Sequence, residues 1–190
     1  IYYTSHFPGF PILIALFAPF LGFLKSMLFV SLIFTIASAV AFYLLVRNFK
    51  LTSNPLWLTL IFLILPARWI IVRAVGSPEP AFIFFIILSL YFFLKVTHHE
   101  LQSHMKSLPA GKAGGNSDIW LAAIFGAAAQ LIRPPGALLG LSLGLYVLWQ
   151  GSRRKSLSYV LSFYPFLLIP ITLLSVFYLY GIQYGDFFAY

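Results

Sequence analysis

The chain has 190 residues, of which 61% are hydrophobic, 19% aromatic and only 8% charged. A soluble domain carries about a quarter charged residues, so water is not its main solvent and a water-soluble globular domain is excluded. The net charge of +8 lies in small groups between apolar runs rather than along one face, which points to membrane topology and not to nucleic acid.

Cysteine is absent, which removes disulfides, thiolate metal sites and a cysteine nucleophile. Runs such as Ala81 to Leu94 and Leu121 to Ile132 do not alternate apolar and polar residues, so a transmembrane β-barrel is excluded and helices remain. The expected fold is an all-α integral membrane protein, a multi-pass helical bundle of about five transmembrane helices plus one interfacial segment. Residues 1–25 are expected to form an outer-face lead-in and interfacial segment, and 26–190 a single transmembrane bundle. The chain starts at Ile1, has no leader before its first apolar run, and ends just after its last one, as expected of a piece of a longer protein.

In chain order, Ser5-His6-Phe7-Pro8-Gly9-Phe10-Pro11 opens the sequence. Two prolines and a glycine predict a bent, non-helical lead-in, in which His6 is suited to donate to a phosphate or a sugar hydroxyl; as pure structure it is an interfacial turn with aromatic anchors. Phe10 to Leu24 is too short to span and reads as interfacial or re-entrant. The first span is Ser26 to Val46, closed by Arg47, Asn48 and Lys50. The second opens at Asn54-Pro55, a helix-start pair, and runs to about Val72. Pro66 inside it predicts a kink or break that sets apart the part bearing Arg68 and Arg73.

Gly76-Ser77-Pro78-Glu79-Pro80 starts the third span, Pro80 to Val96. Ser77 is suited to cap it, Pro78 to its first turn, and Glu79 to the positive end of the helix dipole. The functional alternative has Glu79 orient a hydroxyl-bearing substrate or a metal-bound phosphate. A polar stretch from Thr97 to Asp118 follows, with a flexible loop at Gly111 to Asn116. Its histidines, His98, His99 and His104, have no nearby residue to complete a metal site and read as a solvated loop. Ile119 to Ile132 and the run ending at Trp149 are two helices meeting at Arg133-Pro134-Pro135-Gly136, since two prolines end a helix. A cation at that helix end is favoured by the dipole, and Arg is also the best bidentate partner for phosphate oxygens. Arg153-Arg154-Lys155 marks topology and sits where it can touch anionic lipid. The last span, Leu157 to Tyr180, has Pro165 and Pro170 as expected kinks. Asp186, in Tyr184-Gly185-Asp186, caps an amphipathic segment. No Walker loop, dinucleotide fingerprint, HExxH or GxSxG occurs, so soluble-type nucleotide chemistry has no support.

The order of these clusters resembles the polytopic glycosyltransferases of the GT-C superfamily, most closely the mannosyltransferase family that includes the enzyme adding the second mannose to GPI anchors, with its prokaryotic relatives. A Phe-Pro-x-x-Pro lead-in matches Phe7 to Pro11, and a helix ending in basic residues matches Arg47 to Lys50. Pro66 and then Ser77-Pro78-Glu79 match a Pro followed by a Ser-x-Glu helix start. An Arg-Pro-x-Gly turn matches Arg133 to Gly136, and a Gly-Asp-x-x-Ala-aromatic segment matches Gly185 to Tyr190. Pro78 and Pro80 depart from the usual Ser-Glu-Ser type of sequence around the acid.

The resemblance implies transfer of a sugar from a polyprenyl-phosphate donor to a glycan, lipid or protein acceptor on the non-cytoplasmic face. The membrane would be the plasma membrane of a prokaryote or the endoplasmic reticulum of a eukaryote. The family's base is an acid upstream of the Phe-Pro lead-in, and no Asp or Glu precedes Glu79 here. The catalytic acid is therefore expected before Ile1, with Glu79 and Asp186 in support and Arg133, Arg68, Arg73 and His6 as phosphate or substrate ligands. No cofactor is required by the resemblance. A divalent metal is left open, because only Glu79 and Asp186 are acids on the proposed face.

Two alternatives stand beside this one: a transporter or lipid flippase with a midplane site between broken helices, although no internal repeat is found, and a noncatalytic membrane subunit. Orientation follows from the basic residues. If Val46 ends on the cytoplasmic side, Arg47, Lys50, Lys95, Lys106, Lys112, Arg153, Arg154 and Lys155 share it, the majority of the twelve Lys and Arg. His6, Glu79, Arg133 and Asp186 then share the other leaflet. Single cysteines placed at positions 79 and 133 should both react with an impermeant thiol reagent from the same side of the membrane; labelling from opposite sides would remove the proposed site.

Overall fold

The computed structural model describes residues 7–64, 75–105 and 116–184. All regular structure among them is helical. Helix α1 spans Gly9–Leu21, α2 Phe23–Asn48, α3 Pro55–Ile64, α4 Glu79–Met105, α5 Asn116–Ile132 and α6 Gly136–Arg154. A short α7, Leu157–Ser162, leads through a 3-10 turn, Tyr164–Leu167, into α8, Leu168–Tyr184.

Three helices are long and apolar enough to cross a bilayer: Phe23–Asn48, Glu79–His98 and Tyr164–Gln183. The expected spans of about five helices include shorter apolar pieces, Pro55–Ile64 and Ser117–Ile132, below that length. The stretch 65–74, with Pro66, Arg68 and Arg73, lies outside the described residues, as does the expected loop at 106–115.

Several boundaries differ from the sequence reading for local reasons. Gly9, Phe10 and Pro11 form the first turn of α1 instead of a non-helical bend, because a proline in the first turn has no intrahelical N–H to lose. The segment expected at the interface is thus a helix of 13 residues, about 20 Å long and too short to span. Helix α4 continues past the apolar run to Met105, since Glu100, Leu101 and Gln102 are good helix formers whatever solvent surrounds them. Pro165 sits in the 3-10 turn that separates α7 from α8. Pro170 falls in the first turn of α8, where it breaks no hydrogen bond.

Burial along α2 and α6 differs from that of a soluble protein. Helix α2 buries Ser26, Ser31, Thr35 and Ser38, while Leu32, Ile36, Val40 and Leu44 face outward. Helix α6 presents Leu138, Leu141, Leu145 and Leu148 to the surroundings, each more than half exposed. Large apolar groups outside and small hydroxyls inside are the arrangement that lipid favours: tails solvate leucine well, and small residues let helices approach closely. The buried hydroxyls are satisfied locally. Thr35 donates to the Ser31 carbonyl at 2.7 Å and Ser38 to the Thr35 carbonyl at 2.8 Å. The chain is accordingly an all-helical membrane protein.

Helices α4 and α5 form the central antiparallel pair. Glu79 meets Arg133 at one end, Lys95 meets Asp118 at the other, and between them the Ser89 hydroxyl donates to the Ala122 carbonyl at 2.8 Å. Ala122, Ala123, Ala127 and Ala129 are fully or nearly fully buried, giving α5 two closely packed faces. Helix α2 covers α4 through aromatic contacts, Phe34 against Phe84 and Phe85. On the other side of α5, Ile169 of α8 reaches in beside Gly126 and Gly140. Helix α1 folds back on α2 through Gly22, at φ 75 and ψ 162, a region open in practice only to glycine, and Phe17 packs edge-on against Phe29.

Two glycines of α6 should respond differently to substitution. A Cβ on Gly136 would lie 2.5 Å from the Cα of Gln130, backbone that cannot give, whereas Gly144 has open space around it. Gly136→Ala should destabilise the bundle by about 1–3 kcal/mol through overpacking. Gly144→Ala should be neutral or slightly stabilising, because alanine is the better helix former. Thermal melting of both variants in one detergent measures the contrast.

Candidate functional site

The site forms where three chain segments that are distant in sequence end at one level of the bundle. Glu79 is the first residue of α4. Its position is set by a turn in which Gly76 takes φ 70, the Ser31 hydroxyl of α2 donates to the Ser77 carbonyl at 3.1 Å, and the Ser77 hydroxyl accepts a long bond, 3.5 Å, from the Glu79 N–H. Arg133 follows the last residue of α5. Its own N–H closes that helix on the Ala129 carbonyl at 3.1 Å, and its carbonyl accepts from Gly136 N–H at 3.0 Å, which tightens the double-proline turn.

The two side chains meet in an ion pair, Arg133 Nη1 to Glu79 Oε1 at 2.8 Å. Each charge also suits its own helix terminus, the acid at a positive end and the cation at a negative one. Glu79 is 18% exposed and Arg133 37%, so the pair is partly screened and its guanidinium stays accessible. Glu79 Oε2 is buried and has no hydrogen-bond partner among the described residues.

Helix α1 supplies the third wall. A Cβ on Gly9 would lie 2.6 Å from the Leu131 carbonyl oxygen, so only glycine lets the first turn of α1 rest directly on the end of α5. Phe7, Phe10, Pro11 and Ile14 then line a cavity of about 440 Å³ together with Met27, Gly76, Pro78, Glu79, Ile132, Arg133 and Pro134. Phe7 also packs edge-on against Phe177 of α8, centroids 6.5 Å apart. A larger cavity of about 550 Å³ lies between α6 and α8, lined by Gly140, Gly144, Phe163, Ile169 and other apolar groups. It holds no ionisable side chain except Tyr164, so charge chemistry belongs to the smaller cavity.

Chemically, the smaller cavity presents a guanidinium with N–H groups beyond the one given to Glu79, a carboxylate oxygen without a partner, and aromatic and proline walls. That combination suits an anionic group joined to a hydroxyl-bearing one. No three His, Asp or Glu side chains gather among the described residues, and the one carboxylate present is already neutralised by Arg133.

Of the residues singled out from sequence, Glu79 and Arg133 are brought together, with Phe7, Phe10, Pro11, Gly76, Pro78 and Pro134 around them. His6, Arg68, Arg73 and Asp186 lie outside the described residues. Two features escaped the sequence reading. One is the Lys95–Asp118 pair, 3.1 Å, at the far end of α4 and α5; opposite charges at the facing ends of consecutive predicted helices were its signal. The other is Gln130, fully buried, whose signal was a lone carboxamide following Ala127-Ala128-Ala129.

No family model, curated protein or solved structure matches this chain.

Removing one partner of the ion pair strands the other. Glu79→Gln and Arg133→Ala should each lower stability, and the double variant should lose less than their sum, with a coupling of about 0.5–3 kcal/mol. Chemical or thermal unfolding of the four proteins in one detergent closes the cycle; additive losses would mean that the pair contributes no net interaction.

Proposed function

We propose that the chain is part of a GT-C type membrane glycosyltransferase, mannosyltransferase-like, that moves a sugar from a polyprenyl-phosphate donor to an acceptor on the non-cytoplasmic face. The observation that carries this reading is the convergence of the Phe-Pro lead-in, the Glu79 helix start and the Arg133 turn on one cavity. These are three of the motifs whose order resembles that superfamily. In this reading shorter apolar helices join the three long ones to make about five spans. The membrane is the plasma membrane of a prokaryote or the endoplasmic reticulum of a eukaryote.

The chemistry asks for few parts. The acceptor hydroxyl attacks the anomeric carbon, a base takes its proton, and the bond to the donor phosphate breaks as negative charge collects on the leaving oxygens. Arg133 receives that phosphate through its remaining N–H groups, and donors held ready for developing charge are a large term in catalysis. Glu79 holds the guanidinium in place and lends its free oxygen to a substrate hydroxyl. His6, Arg68, Arg73 and Asp186 are assigned to the same face as supporting ligands. A lipid-linked donor also suits a chain with no nucleotide-binding motif.

A transporter or flippase would place its polar groups near the middle of the bilayer, on broken helices. Glu79 instead begins α4 and Arg133 follows the end of α5, which favours an interfacial reaction. Arg133→Ala in the full-length protein should lower transfer from a dolichyl- or undecaprenyl-phosphate sugar by roughly 10²–10³-fold while membrane insertion is retained. Arg133→Lys should recover only part of the loss, since a point charge replaces a planar fork. Transfer rates unchanged in Arg133→Ala would end the assignment, and a chain that inserts but never transfers sugar would be a noncatalytic subunit.

A further inference from the structure

The Gln130 amide is buried with no hydrogen-bond partner among the described residues, sealed away from anything that could bind from outside. The larger cavity, of about 550 Å³, is different because it is open. It lies between α6 on one side and α7, the 3-10 turn and the start of α8 on the other. Its floor is buried: Val147, Phe163, Phe166 and Ile169 are each at most 9% exposed. Its rims, Leu141 and Leu148 on α6 with Leu161 and Leu167 opposite, are each more than half exposed. The cavity is therefore a groove that opens sideways, on the surface these helices present to lipid.

Part of its depth is a missing side chain, since a Cβ on Gly144 would meet nothing within 4 Å. Along α6 the lining runs from Ala137 to Leu148, eleven positions and about 16 Å of helix rise, close to the roughly 15 Å of hydrocarbon in one leaflet. An apolar groove open to a bilayer fills with a hydrocarbon chain, and the groups at its end decide which lipid supplies that chain. Toward that end Tyr164, itself part of the lining, packs edge-on against Trp120, centroids 5.6 Å apart. Trp120 stands two residues from Asp118, at the level of the Lys95–Asp118 pair, and rings with a polar tip favour the headgroup boundary. Beyond it α6 and α7 meet at a corner, where Val160 presses on Gly151 and Lys155 takes φ 49. Arg154 lies over the Tyr159 ring at 4.4 Å, and Lys155 is exposed. Glu79 and Asp118 are committed to Arg133 and Lys95, so Lys155 has no acidic partner among the described residues.

We propose that this groove and its corner bind one anionic phospholipid of the membrane, with an acyl chain lying along Gly140 and Gly144 and the phosphate at Lys155 and Arg154. Lysine supplies a compact charge and arginine a planar fork steadied on an aromatic face, and each cation at a membrane surface adds attraction for an anionic lipid. Tyr164 stands at the depth of the glycerol esters, where its hydroxyl can donate to a carbonyl. A zwitterionic lipid fills the groove equally well with its chain, but its headgroup carries no net charge for the corner to attract. Charge at the corner therefore sets the choice of lipid, and the groove sets its position. No group of the Glu79–Arg133 cavity takes part, so the sugar-transfer reading can fail with this lipid preference intact.

The test places the full-length protein in nanodiscs holding equal phosphatidylglycerol and phosphatidylcholine with identical acyl chains, and weighs the lipid it retains by native mass spectrometry. Wild type should retain one lipid and favour phosphatidylglycerol by about 25-fold, which is roughly fivefold for each of two cations. Lys155→Asn, which keeps a residue suited to the left-handed region, should reduce that preference about fivefold, and adding Arg154→Gln should remove it. Gly144→Phe, which fills the groove and touches neither cation, should lower the retained fraction of both lipids together. Gly144→Leu gives the same readout if the phenylalanine variant fails to insert. The proposal is overturned if wild type favours neither lipid, if the preference survives loss of both cations, or if the groove-filling variant retains as much lipid as wild type. Protein dimers that Gly144→Phe dissociates would overturn it in favour of a second copy in the groove. Displacement of phosphatidylglycerol by undecaprenyl phosphate would overturn it in favour of the sugar donor's own chain.

Discussion

Helices α4 and α5 are the frame on which everything else in this bundle is hung, and small side chains make the frame possible. Alanine and glycine along α5 bring its backbone close enough to α4 for the Ser89 hydroxyl to reach the Ala122 carbonyl. That approach fixes the register, and the register puts an acid opposite a base at each end. Neither ion pair is a strong source of stability by itself, since partly exposed charges gain little from pairing. Their value lies in specification: a slip of one helix past the other would separate both pairs together and leave four charges without partners next to hydrocarbon, a state far more costly than the pairs are favourable.

The same frame explains why the cavity lies where it does. The register of the pair brings the first residue of α4 level with the residue just beyond the end of α5. What turns that coincidence into a recess is α1, which folds back through Gly22 and rests its first turn on Leu131 through Gly9. The recess therefore has a rigid floor, made by two packed helices, and a wall contributed by a short helix joined at a single glycine corner. Rigid groups hold charge in place, and the packing of Phe10 and Ile14 against Val30, Ala81 and Ile132 holds the wall to that floor.

Much of this was legible in the sequence. Hydropathy alone located the bodies of α2, α4, α5, α6 and α8, and the prolines at 55, 134 and 135 marked boundaries that the structure reproduces. The placement of Glu79 and Arg133 at one end followed from counting alternations of the chain. Three things were not legible, each for a physical reason. Helix α4 outlasts its apolar segment because hydrogen-bonded helix does not stop where lipid does. Gly9 to Pro11 are helical because a proline in a first turn conforms to a helix as readily as it breaks one. The isolation of Gln130 could not be seen either, because whether an amide is satisfied depends on which neighbours the tertiary fold delivers, and no linear pattern encodes that.

The distance between the two ion pairs has a bearing on the membrane itself. Sixteen positions separate Glu79 from Lys95, about 24 Å of helix rise, against a hydrocarbon thickness of about 30 Å in an ordinary bilayer. Charged groups resist entering hydrocarbon, so the surrounding leaflets must pinch inward where they meet these helices, at a cost of fractions of a kcal/mol for each Å of mismatch. A dimple of that kind brings phosphate headgroups down toward Arg133. The mismatch is smaller in bilayers of shorter acyl chains, where less of this deformation is needed.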